Sequence, residues 1–72
     1  MDKKAIDLAS AINVPVEELR FEEVCSTCDG AILWDVWDIT TNEHRYIIEG
    51  ETGELLTPIE CTEAEAIEAF NN

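Results

Sequence analysis

Apolar residues recur along this chain with two different periods, one helical and one extended. From Asp2 to Asn13, Ala5, Ile6, Leu8, Ala9 and Ile12 fall on one broad face of a helix, while Lys3, Lys4, Asp7 and Ser10 fall on the other. The stretch Asn13-Val14-Pro15 ends this helix, because a proline disfavours the helical conformation in the residue before it. Val16-Glu17-Glu18-Leu19 reads as a single helical turn opened by Pro15 and anchored by Leu19.

The period then shortens to two. Phe21 to Cys25 is a short strand with imperfect alternation, and Cys28-Asp29-Gly30 is a turn. Ala31 to Ile39 is the clearest strand: Ile32, Trp34 and Val36 share one face, and Leu33, Asp35, Trp37 and Ile39 share the other. Thr40-Thr41-Asn42-Glu43 has hairpin-loop chemistry and leads into a strand from His44 to Glu49. Gly50-Glu51-Thr52-Gly53 is a second turn before a strand at Glu54-Leu55-Leu56-Thr57, with Pro58 marking an edge or an end. Thr62-Glu63-Ala64-Glu65 is a capping box opening a last helix, Glu63 to Phe70, whose Ala64, Ala66, Ile67 and Phe70 can dock on the sheet. The order predicts an α+β fold: a small antiparallel β-sheet of three to four strands, with an N-terminal and a C-terminal helix on one face. Residues 1–72 are expected to form a single domain.

At 46% hydrophobic, with Phe21, Trp34, Trp37, Tyr46 and Phe70, the chain is too apolar for a disordered acidic tail. No apolar run approaches the ~20 residues of a membrane span. Asp7 interrupts the stretch where a signal peptide needs unbroken apolar residues, so a cytoplasmic protein is expected. The odd cysteine count (Cys25, Cys28 and Cys61) fits reduced thiols.

Charge changes the picture most. Seventeen acidic residues against four basic ones leave a formal net charge of −13 on 72 residues. On a folded surface of roughly 4,500 Å², that is one net negative charge per ~350 Å². Thirteen phosphate charges occupy ~22 Å of B-DNA, and a domain this size is ~25–30 Å across, so the two charge densities are comparable. Solubility needs only a net charge of ~2–8 in a small domain; a partner that neutralises the field explains the excess. Lys3, Lys4, Arg20 and Arg45 are scattered, so direct binding of nucleic acid or of an anionic membrane is not expected. The suited partner is a basic protein surface, such as that of a nucleic-acid-binding protein.

Two families are similar to parts of this pattern. An Ala-rich amphipathic helix precedes Leu33-Trp34-Asp35-Val36-Trp37-Asp38, and then Arg45-Tyr46-Ile47-Ile48-Glu49-Gly50-Glu51-Thr52-Gly53-Glu54-Leu55-Leu56. Over residues 5–56 this order resembles the PepSY domain, which implies a peptidase-modulating role. PepSY domains are mostly extracytoplasmic, and this chain adds a C-terminal helix. In size, charge and an acidic last helix opening with Thr62-Glu63-Ala64-Glu65-Ala66, the chain also resembles small acidic phage accessory proteins, including anti-CRISPR and anti-restriction DNA mimics. That resemblance implies an inhibitor of a nucleic-acid-binding complex.

Chemistry-bearing motifs are few. Cys25-Ser26-Thr27-Cys28 before Asp29-Gly30 is half of a zinc-knuckle pattern; a tetrahedral site would need Cys61 and His44 as well. As a redox pair it lacks the helix N-terminus that activates a thiol. A zinc or redox module is therefore the alternative to a binding protein. His44 has no serine or cysteine at triad spacing, and Asp35 and Asp38 point to opposite faces of a strand. No catalytic residue, metal or cofactor is assigned, and a non-enzymatic protein is expected. If both helices cover the Ile32-Trp34-Val36 face, then Leu33, Trp37 and Ile39 form an outer strip, either a second small core or a binding patch. The acids fall in three clusters: Glu17, Glu18, Glu22, Glu23; Glu49, Glu51, Glu54; and Glu60, Glu63, Glu65, Glu68. The expected partner-binding residues are Trp37 with Glu17, Glu18, Glu22, Glu23, Glu49, Glu51, Glu54, Glu63, Glu65 and Glu68. Gathered on one face they suit a mimic; spread evenly they suit only solubility.

Overall fold

The computed structural model describes residues 2–71. Helix α1 is Lys3–Ile12: the Asp2 carboxylate accepts the Lys4 N–H at 3.0 Å, and Asn13 ends the helix at φ 59°. Pro15 leads into a 3-10 turn, Val16–Glu18, shorter than expected because Leu19 already belongs to the sheet. Strands β1 (Leu19–Ser26), β2 (Ile32–Asp38) and β3 (His44–Glu49) form an antiparallel sheet in the order β1-β2-β3. The imperfect alternation of Phe21–Cys25 has a cause. Glu23 pairs with Trp34 and Cys25 with Leu33, so Val24 is an extra residue, a β-bulge.

The hairpins close as their residues dictate. Gly30 takes φ 100° in the first turn. In the second, the Thr40 hydroxyl and N–H both donate to the Asp38 carboxylate, at 2.6 and 2.8 Å, and hold that carboxyl below the ordinary aspartate range. The expected strand at Glu54–Thr57 is reduced to two isolated bridges, Glu49 with Leu55 and Tyr46 with Ile59. Pro58, which has no N–H to give, lies between them. Helix α2, Glu63–Phe70, starts at the expected capping box: Thr62 accepts the Glu65 N–H at 3.2 Å, and Glu65 accepts the Thr62 N–H at 3.0 Å.

The class is as expected, a three-stranded antiparallel sheet with one helix before it and one after. The helices do not share a face, however. Leu8 and Ala9 of α1 pack with Leu19, Val36 and Ile47, whereas Ala66 of α2 packs with Leu33 and Tyr46. Val36 and Leu33, like Ile47 and Tyr46, point to opposite sides of the sheet. The reason lies in β2, which is apolar on both faces; each face needs its own cover. Leu33 thus belongs to a second core, while Ile39 lies past the end of β2 and is 47% exposed. Ala64, expected to dock, is exposed, and so is Ile6. No helix among the described residues is long and apolar enough to cross a membrane.

Candidate partner-binding surface

The folded chain exposes 4549 Å² and measures 31 × 25 × 17 Å, so the average charge density inferred from mass stands. The distribution is uneven. On α1, Asp2 and Asp7 are matched by Lys3 and Lys4, and Lys3 pairs with Asp7 at 2.9 Å. The segment 60–70, with α2, carries Glu60, Glu63, Glu65 and Glu68 and no basic residue. All four are exposed; Glu60 lies 3.6 Å from Arg45. Glu65 is engaged locally, since the Thr62 backbone and side-chain bonds hold its carboxyl below the ordinary range.

The other acidic residues do not join α2 on one face. Glu22 and Glu23 are consecutive in β1 and turn to opposite faces, Glu22 toward the α2 side and Glu23 toward the α1 side. Glu17, Glu51 and Glu54 lie exposed in turns, and Glu18 is half-buried. Glu49, which its cluster places at a partner surface, is instead buried on the α1 face, where its Oε1 accepts from Lys4 Nζ and, at 2.9 Å, from Trp34 Nε1. Burial pushes its carboxyl up, but the bonds from Lys4 and Trp34 and the lysine charge outweigh that, and it ends below the ordinary glutamate value.

Helix α2 packs mainly on β2 and β3, and on that face Arg20 and Glu22 of β1 are exposed. Cross-strand register places Arg20, Trp37 and His44 in one row there, and Glu22, Asp35 and Tyr46 in the next. Trp37 is half-buried and stacks on His44, with ring centroids 5.0 Å apart and 15° between planes. His44 Nδ1 hydrogen-bonds Asp35 Oδ1 at 2.8 Å. His44 is the first residue of β3, where the strand was expected to begin, and it is held there by an indole and a carboxylate. Sequence reasoning missed this group. A five-residue link from Ile39 to Glu43 pairs Trp37 with His44, and that loop length was the available signal.

The four suggested zinc ligands are not brought together. Cys25 pairs with Leu33 and His44 with Trp37, four residues further along β2 or ~13 Å. Cys28 is exposed in the first turn, while Cys25 and Cys61 pack at the second core. Among the described residues, no three His, Cys, Asp or Glu side chains converge as metal ligands. Burial, then the nearby Glu65, raises the Cys61 thiol above its ordinary value, the reverse of an activated thiol. No pocket is found among the described residues. Compared with known proteins, the chain matches no family model, no curated protein and no solved structure.

Proposed function

We propose that this chain is an acidic interaction protein that binds a basic protein surface through one part of its acidic surface; because the three acidic clusters do not share a face, the contact is one-sided rather than a copy of a duplex. The carrying observation is the lopsided charge: α1 balances its own charges, whereas the 60–70 segment has four glutamates and no base. Such a field steers a basic partner toward the α2 side and speeds encounter. Beside it, Trp37 with His44 supplies an aromatic group on a partly open sheet face, the residue type enriched at interface anchors.

Capture of partners by the full chain at low and at high salt, followed by affinity measurement on the partner identified, tests this reading. Binding should fall steeply with salt. Glu63→Gln with Glu68→Gln should weaken it severalfold more than Asp29→Asn with Glu51→Gln, a neutralisation of equal size at the turns. A salt-independent complex, or equal losses from the two double variants, overturns it.

A further inference from the structure

The two edges of the sheet are not alike. Beyond β3, the 54–59 segment supplies the bridges at Leu55 and Ile59 and closes that side. Among the described residues, no strand lies beyond β1. The Ile39 N–H donates to the Glu18 carbonyl at 2.9 Å, in register with the β1–β2 ladder, and this sets the phase of β1. Arg20 and Glu22 turn their backbone groups toward β2; Leu19, Phe21 and Glu23 turn theirs outward. Leu19 is satisfied, its N–H by the Val16 carbonyl and its own carbonyl by the Arg20 guanidinium at 2.8 Å. Among the described residues, the outward N–H and C=O groups of Phe21 and Glu23 have no protein partner.

We propose that β1 is the docking edge for an extended basic segment of a partner, which adds to the sheet as an antiparallel fourth strand paired with Phe21 and Glu23. Main-chain bonds give such a complex its affinity, and side chains beside the edge select the sequence. Here Glu22 is exposed on the α2 face of the edge, and Glu23 is exposed on the α1 face beside the half-buried Phe21. An added strand sets its residues directly opposite these three, on the same faces. It should carry a Lys or Arg against each glutamate and an apolar residue against Phe21, a Lys-Lys-Val type of run. A bulge at Val24 ends the regular stretch, so the docked segment is short. A second copy of this chain fits poorly: like charges would face each other along the edge, and each body carries −13.

This inference rests on the reading of a basic partner. It is tested with the full chain and a synthetic peptide of about nine residues centred on Lys-Lys-Val. A second peptide is N-methylated at the first Lys and at the Val, which removes the donors to Glu23 and Phe21 and keeps the charge. The unmodified peptide should bind at low salt and slow hydrogen exchange at the Phe21 and Glu23 amides; the methylated one should bind roughly tenfold more weakly or worse. Equal binding of both peptides overturns strand addition and leaves the basic-partner reading standing. Binding of neither, while the chain still captures a basic protein in a salt-sensitive way, overturns the edge alone. Binding of neither together with salt-independent capture removes both. Slowed exchange at Phe21 and Glu23 that grows with the protein's own concentration, without peptide, assigns the edge to a second copy and overturns the proposal.

Discussion

One oxygen of Glu49 receives both Lys4 of α1 and the indole of Trp34 in β2, so this carboxylate ties the first helix to the sheet. Glu49→Ala should cost about 1.5–3 kcal/mol in urea unfolding, the range for hydrogen bonds to a charged group. Because its carboxyl lies below the ordinary value when folded, Glu49 stabilises above the unfolded glutamate pKa of about 4.3 and loses that contribution as pH falls through the folded value. Glu49→Gln should therefore flatten the decline of stability below about pH 5, which urea midpoints across that range will measure. The sequence places Glu49 in an acidic cluster beside Glu51 and Glu54; only the pairing of β3 with Ile32 and the packing of α1 reveal its partners. The thiols differ for a related reason. Iodoacetamide at neutral pH should modify Cys28 first and Cys61 slowly, since Cys28 is exposed and burial raises the Cys61 thiol; mass spectrometry of timed samples checks the order.

At the scale of elements, both helices, all three hairpin strands and the capping box were legible, because each rests on local periodicity or a local cap. The placement of α2 was not. Reading Leu33 and Trp37 as an outer strip assumed that both helices cover Trp34 and Val36, yet a strand apolar on both faces already calls for two layers. Leu33 is fully buried beneath α2 with Tyr46 and Ala66. Leu33→Ala should cost about 2–5 kcal/mol and release the far side of the sheet, read as faster exchange of α2 amides. A loss near zero would mean that α2 contributes little to that core. The bulge in β1 was visible only as broken alternation, and the weak bridges of the 54–59 segment follow from Pro58, which the sequence did mark as an edge or an end.

For the molecule as a whole, the total charge could be read directly, whereas its distribution over the two faces depends on the strand register and on which helix covers which face. The surplus also acts without any partner. Self-repulsion at −13 should make the melting temperature rise as sodium chloride screens it, in differential scanning calorimetry from low salt to about 0.5 M. A fall instead would show that attractive pairs such as Lys4 with Glu49 outweigh the repulsion. The wide separation of that pair has another consequence. The sheet is built from chain neighbours, but Lys4 and Glu49 stand 45 residues apart, and the apolar side of α1 rests partly on Ile47. At about 5–20 residues per second, a ribosome needs roughly 2–9 s to make β3 after α1. For those seconds Leu8 and Ala9 lack Ile47 as part of their cover, so α1 cannot finish packing until the last strand is made.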